Sequence, residues 1–418
     1  MEKTKVPWYY LTLIILAAES IFFLPYVLSR IFRPTVLEVF NINNVELGIC
    51  FSVYGLVAIV SYLFGGPIAD RYPARKLISW ALWLTAFGGI YYANYPNYIG
   101  LKFLYGYWGF TTVFLFWAPM IKATRMWGES SSQLRAFGLL EGGRGLVSAA
   151  LGTLGVVIFT LFANHNTETV NLEESRAAFK YVIYFSSFIV AFVGLLTWFF
   201  MKLKGDQEHS VVVSKISIEQ VKQVMKMPAV LLLMVIILCA YMGYKTTDII
   251  ALFSRDIMHY NEVQSAQIAT FLLYARPIIA ILLACFFTRF NATLILGFGF
   301  VVSFFAAVIF ASGLISDISF LLFILSILIL AVGVYGLRAV YFSVMEKGNI
   351  PLKYTGTAVG MISLVGYAPD IFSGPMIGYL LDNSKGMVGY QYVFAILAAF
   401  SGIGCWAGWK YHVMYGKS

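Results

Sequence analysis

The apolar positions of this chain gather into about a dozen runs separated by short polar turns, and each run approaches the ~20 residues that a helix needs to cross a hydrocarbon core. In the first half they predict spans over Trp8 to Phe32, Glu46 to Ala69, Leu77 to Asn94, Tyr98 to Ile121, Leu134 to Phe162 and Tyr181 to Leu203. In the second half the spans are Ala229 to Phe253, Val263 to Thr288, Ala292 to Leu314, Phe320 to Val344, Thr355 to Leu381 and Tyr390 to Val413. The first run follows Lys3 and Lys5 but lacks a small-residue cleavage site, so it reads as a retained span rather than a signal peptide. The longest polar stretch, Lys204 to Lys226, separates the two sets of six. The expected organisation is an all-α membrane protein of twelve transmembrane helices in two pseudo-symmetric six-helix bundles. Residues 1–203 form the first bundle, 204–227 a cytoplasmic linker and 228–418 the second. Within the linker, Val211 to Ile218 reads as a surface helix or strand.

The two halves resemble each other in order. Asn43-Asn-Val-Glu opens the second run and Asn261-Glu-Val-Gln the eighth, 218 residues later; the same shift carries Asp70-Arg71-Tyr72 onto Thr288-Arg289-Phe290, and Gly138 onto Gly356. In the first run of each half, Ser29-Arg30 matches Ser254-Arg255 at a shift of 225. Any one match is within reach of chance, but several in chain order at a nearly constant shift indicate duplication.

Composition agrees with the pattern. Of 418 residues 60% are hydrophobic and 12% charged, and the mean hydropathy is +0.80, more apolar surface than so few charges could hide in water. The net charge of +9 forms no single basic patch, which argues against nucleic acid. Arg71, Arg75, Lys76, Arg125, Arg135 and the linker lysines fall on one side if both termini are cytoplasmic, and the opposite loops hold only Arg33, Lys102, Arg176, Lys180 and Lys385. The expected location is a plasma membrane, a bacterial inner membrane, with both termini inside. The four cysteines, Cys50, Cys239, Cys285 and Cys405, lie in apolar runs without metal-like spacing and imply no disulfide, metal or cofactor.

Ionisable residues inside spans are costly, roughly 2.5 to 3.5 kcal/mol each on insertion scales, and so are candidates for function. Arg30 and Arg255 occupy equivalent positions, and pseudo-symmetry would set them facing each other across a central cavity, where an anion between them relieves their repulsion. Snorkelling at the membrane surface is the alternative. Glu141 and Arg144, and likewise Lys245 and Asp248, stand three residues apart and pair on one helical face, as structural pairs or as gate and substrate contacts. Asp248 and Arg255 share a face, so Lys245 would neutralise Asp248 and leave Arg255 for substrate. Glu19 lies eleven residues before Arg30, about three turns, on the same face; in an apolar pocket it is either a proton-coupling carboxyl or a neutral hydrogen-bonded acid. Arg276 and Asp370 form an interhelical pair or contribute to the site, and Arg338 reads as a gate or structural contact. Tyr26, Tyr54, Tyr241, Tyr244 and Tyr274 are candidates to line a polar cavity. The glycines of the fifth run and Gly374-Pro375-Met-Ile-Gly378 in the eleventh supply close packing and a helix break.

Gly66 to Lys76, reading Gly-Pro-Ile-Ala-Asp-Arg-Tyr-Pro-Ala-Arg-Lys, resembles the Gly-x-x-x-Asp-Arg-x-Gly-x-Arg loop between the second and third helices of the major facilitator superfamily, with Pro73 where that family usually has glycine. The resemblance implies the major facilitator fold and makes Gly66, Asp70, Arg71 and Arg75 a cytoplasmic latch. Two further stretches resemble the organophosphate:phosphate antiporters: Tyr26-Val-Leu-Ser-Arg30 followed by Glu46-Leu-Gly-Ile-Cys-Phe-Ser52, and Trp117-Ala-Pro-Met-Ile-Lys122-Ala-Thr-Arg-Met-Trp127. By that resemblance Arg30 and Arg255 bind a phosphate-like group; Tyr26, Lys122, Arg144 and Arg276 are the further substrate-binding candidates. The fifth run lacks the histidine that the better-known exchangers place there, so the substrate is open to another anion. The expectation is a secondary transporter, not an enzyme, moving a small organic or phosphorylated anion by alternating access, by exchange or with a proton or phosphate as counter-substrate. The alternatives are a proton symporter of a sugar acid or carboxylate and a transporter-like receptor for a phosphorylated metabolite. A monomer suffices.

Overall fold

The computed structural model describes residues 7–128, 133–163, 172–201, 218–286, 291–315, 320–341, 343–348, 350 and 355–416. Long helices account for nearly all of them. We label the helices α1 (Trp8–Ile31), α2 (Asn44–Arg71), α3 (Ala74–Tyr92), α4 (Tyr98–Gly109, continued by Trp117–Gly128), α5 (Gln133–Phe162) and α6 (Leu172–Phe200). The second half carries α7 (Pro228–Asp256), α8 (Glu262–Phe286), α9 (Ala292–Ala311), α10 (Phe320–Val340), α11 (Thr355–Gly366, continued by Pro369–Asp382) and α12 (Met387–Tyr415). Among the described residues nine of these satisfy both length and apolarity for crossing a membrane; α3, α4 and α11 complete the twelve. Large apolar side chains such as Phe103, Phe188, Phe298 and Trp409 stay exposed, which is stable where the solvent is lipid.

The chain divides into two compact units. The first holds Met1–Val213 with Tyr260–Pro277, the second Ser214–His259 with Ile278–Ser418. The first half of α8 belongs with the first unit because small residues of α5 admit it: a Cβ on Gly145 would stand 3.0 Å from Pro277 Cδ. In the first unit Phe32 packs between Phe159 and Phe179, and Trp108 meets both Tyr92 and Tyr105. In the second unit Leu233 and Ile237 of α7 pack with Leu296 and Phe300 of α9, Leu337 of α10 and Tyr411 of α12. There Gly333 lets α10 approach α9 so closely that a Cβ would lie 2.7 Å from the Ser303 backbone nitrogen.

The duplicated sequences fold alike. Asn43 Oδ1 accepts from the Glu46 N–H at 2.8 Å while Glu46 Oε2 accepts from the Asn43 N–H at 3.1 Å; Asn261 and Gln264 repeat the same capping box at 2.8 and 3.1 Å. Two residues before each capping asparagine the backbone turns left-handed, at Asn41 with φ 50° and at His259 with φ 55°. Both positions therefore carry the 218-residue repeat into backbone conformation.

Several boundaries differ from expectation. The first span is not one continuous helix: Phe23–Val27 forms a π-turn, with the Leu28 N–H reaching Phe23 O, around Pro25, which has no N–H to give to a regular ladder. The chain then kinks at Phe32 and makes a short helix, Arg33–Val39. The α6 helix begins at Leu172, nine residues before the expected Tyr181, so Glu173, Glu174, Arg176 and Lys180 are helical rather than loop residues. Two acidic side chains in the first turn suit the positive end of the helix dipole. The break in α11 falls at Tyr367 and Ala368, ahead of Pro369, whereas Pro375 sits inside a helix. Of the linker, Ile218–Met225 is a helix; the rest of the Val211 to Ile218 expectation, like Thr288-Arg289-Phe290, lies outside the described residues.

Candidate functional site

Four charged residues of the first unit, Glu19, Glu141, Arg144 and Arg276, form one connected chain across three helices. Arg144 on α5 donates from Nε to Glu19 Oε2 on α1 at 3.1 Å and from Nη1 to Glu141 Oε1 at 2.8 Å. Glu141 Oε2 in turn accepts from Arg276 Nη2 on α8 at 2.8 Å. The i,i+3 spacing places Glu141 and Arg144 on one face of α5, and Thr153 with Tyr274, oxygens 2.9 Å apart, ties α5 to α8 further along. Arg144 also lies over the Phe22 ring, 5.5 Å from its centroid.

Two carboxylates answer two guanidiniums, which is how buried charge becomes tolerable: truncating one partner would leave another uncompensated, a loss of about 3 to 5 kcal/mol. Burial is uneven. The side chains of Glu19, Arg144 and Arg276 are 5%, 8% and 9% exposed, and that of Glu141 is 50% exposed. Glu141, near the start of the apolar stretch Leu139–Phe162, is the most exposed member of the chain of charges.

Arg30 is buried in the last turn of α1. Its neighbour Ser29 bonds to Tyr105, the two oxygens 3.0 Å apart. One turn earlier, Tyr26 stacks on Phe51 at 5.3 Å and meets Tyr54 edge-on at 4.8 Å. Two interactions near this end were not expected from sequence. Arg33 donates from Nε and Nη2 to Asn44 Oδ1 at 3.1 and 3.0 Å, and Glu262 Oε2 accepts from Thr35 and Ser175 at 3.2 and 3.1 Å.

In the second unit Lys245 sits between two carboxylates, its Nζ 3.3 Å from Asp248 Oδ2 and 3.4 Å from Asp370 Oδ1. Tyr241 donates to both oxygens of Asp370, at 3.0 and 3.1 Å. Arg338 on α10 lies over Tyr244, 3.9 Å from the ring centroid, a cation–π contact. Farther along α7, Arg255 Nε donates to Asp256 Oδ1 at 3.0 Å, and Asp256 Oδ2 accepts from Tyr390 at 2.7 Å.

Several sequence expectations are thereby corrected. Glu19 is the ion partner of Arg144, not a lone acid in an apolar pocket. Arg255 does not stand free beside a neutralised Asp248, because the adjacent Asp256 takes its guanidinium. Arg276 and Asp370 have separate partners, Glu141 and Lys245. Lys122 gives its ammonium to the Ala69 carbonyl at 3.1 Å near the C-terminal end of α2, where a cation suits the helix dipole. In the latch, Gly66, Asp70 and Arg71 lie within α2, which runs to Arg71 before the turn at Tyr72 and Pro73. Arg75 donates to the Trp198 carbonyl at 3.3 Å and lies over that ring. No group of three or more His, Cys, Asp or Glu residues is placed to hold a metal among the described residues.

A duplicated set of membrane-length helices tied together by ion pairs defines a polytopic membrane protein. The chain belongs to the Major Facilitator Superfamily, whose family model matches residues 11–373, and it is a multi-pass membrane protein and secondary transporter rather than an enzyme. It is 26% identical over 405 residues to the inner membrane protein YihN of Escherichia coli (strain K12), covering 95% of this chain and 93% of that one. It is 25% identical over 403 residues to the inner membrane protein YqcE of the same organism, covering 92% and 89%. Among solved structures, a point mutant of the nucleoside transporter NupG superposes with TM-score 0.71 at 13% identity over 95% of this chain and 99% of that one. A bacterial homologue of the human lysosomal transporter Spinster, inward-facing and occupied, gives 0.69 at 14% identity over 98% and 97%. At those identities the likeness is one of fold.

Proposed function

We propose that this inner-membrane transporter carries a small organic or phosphorylated anion, and that Arg144 and Arg276 are the cations that receive it. The observation that carries this reading is Glu141: one half-exposed carboxylate holds both guanidiniums at 2.8 Å. A carboxylate or phosphate arriving from water offers the same paired anionic oxygens that arginine binds bidentately, so it can take Glu141's place without leaving either arginine unpaired. Glu19 keeps Arg144 oriented during the exchange. Alternating access then follows if the anion and Glu141 alternate as the link between α5 and α8.

Arg30 and its sequence counterpart Arg255 are a second pair of cations proposed for the anion's path. Their support is the resemblance of Tyr26 to Arg30 and of Trp117 to Trp127 to the organophosphate:phosphate antiporters; those motifs leave the choice between phosphorylated and carboxylate substrates to experiment. Counterflow uptake into proteoliposomes, with a panel of glucose 6-phosphate, inorganic phosphate, glucuronate and lactate, makes that choice. R144A and R276A are expected to lower uptake of the active anion at least tenfold while eluting as wild-type monodisperse protein; wild-type rates in both would overturn the proposal. R30A and R255A in the same assay test the second pair separately.

A further inference from the structure

The two units carry one ionic contact with its charges exchanged. Lys245 follows Glu19 by 226 residues, and Asp370 follows Arg144 by the same 226. Each pair joins the first helix of its half to the fifth, α1 to α5 and α7 to α11. Their surroundings differ in one respect. In the first unit two acids meet two arginines, whereas Lys245 stands between Asp248 and Asp370. Those two, Lys245 and Asp248, are the charged groups that act on Asp370 among the described residues; Arg338, from α10, faces the rings of Tyr244 and Tyr241 instead. Among the described residues the cluster sets one ammonium between two carboxylates, with the Arg338 guanidinium over the neighbouring rings.

Both helices that carry it are broken there. The regular ladder of α7 gives way to a 3-10 turn at Thr247–Ile249, which starts two residues after Lys245 and includes Asp248, and α11 is interrupted at Tyr367 and Ala368, two residues before Asp370. Breaks inside a span are tolerated where protein or a cavity satisfies the freed backbone groups, and they give a helix a point about which to bend.

We propose that Asp370 is a proton-binding coupling site of this transporter, with Lys245 as its releasable counter-ion. The inference rests on the protein's being an anion transporter but not on which arginines bind the anion. One proton from bulk water adds to a carboxylate oxygen of Asp370. Lys245 then retains Asp248 as its ion partner, Tyr241 keeps a hydrogen bond to the neutral acid, and the ionic tie between α7 and α11 is lost at the breaks in both helices. A metal cation is disfavoured because the Lys245 ammonium already occupies the position between the two carboxylates. A proton needs no such space. An anion and a proton entering together also leave the buried charge unchanged.

Infrared difference spectra of the purified protein between alkaline and acidic pH test the site without any substrate. A protonated-carboxyl C=O band is expected in the wild type, absent in D370N, and displaced to more alkaline titration in Y241F, which loses a donor to the charged form. In proteoliposomes an imposed pH gradient should drive accumulation of the anion active in counterflow. D370N should keep counterflow within about threefold and lose the pH-driven accumulation, and D370E should restore it. The proposal is overturned if D370N retains the infrared band, if it still accumulates anion under the pH gradient, or if a sodium gradient at fixed pH drives uptake instead. Wild-type uptake in both R144A and R276A, with the Asp370 band retained, would overturn the arginine assignment alone.

Discussion

Arg144 is held from two sides, by a carboxylate three residues away and by one on another helix, and the difference decides what a sequence can disclose. The i,i+3 pairs Glu141 with Arg144 and Lys245 with Asp248 are legible because helical geometry brings such residues together whatever surrounds them. Glu19 with Arg144 lies 125 residues apart, and Glu141 with Arg276 lies 135 apart; no local period encodes such contacts. The common 226-residue spacing of the exchanged pairs is a usable signal only after one pair is known, since it departs from the 218-residue shift that sets Gly138 on Gly356 and the charges are exchanged as well. The same holds for Arg33 with Asn44, which in the sequence read as a loop charge and a helix-opening asparagine. Because Asn44 Oδ1 takes two N–H groups of one buried guanidinium, N44A should destabilise the protein by about 1.5 to 3 kcal/mol. Detergent-solubilised thermal unfolding would check this, an unchanged midpoint counting against the role.

At the scale of elements, the capping boxes show a repeat that was readable and has physical content. Asn43 and Asn261 each satisfy an otherwise unpaired N–H at the start of a long helix, and N43A or N261A should each cost about 1 kcal/mol. The two boxes share no hydrogen-bond partner, so the two losses should add in the double variant. Denaturant or thermal unfolding of the three proteins would reveal a shortfall. Helix breaks were less legible. Pro25 and Pro369 lie at or beside interruptions, but Pro277 and Pro375 lie within helices, so proline alone does not locate a break. The π-turn at Phe110–Phe114 has neither proline nor glycine; Thr111 and Thr112 instead bond the Trp108 carbonyl with their side chains, a local competition that sequence pattern does not rank.

At the scale of the whole molecule, the twelve-helix order and the duplication followed from hydropathy and spacing, and the family match over residues 11–373 agrees with them. The site was only partly foreseen. Arg144, Arg276, Glu141 and Glu19 were all candidates, but as scattered charges; folding turns them into one neutral chain whose single well-exposed member is Glu141. The account therefore places substrate recognition in an exchange of carboxylates, with the protein's own acid giving way to an anion. The concentration dependence of counterflow, measured for wild type, R144A, R276A and E141Q with the anion active in the panel, tests that claim most directly. Removing the competing charge in E141Q should lower the apparent KM, and each arginine variant should raise it at least tenfold. The same KM in all four proteins would contradict the account.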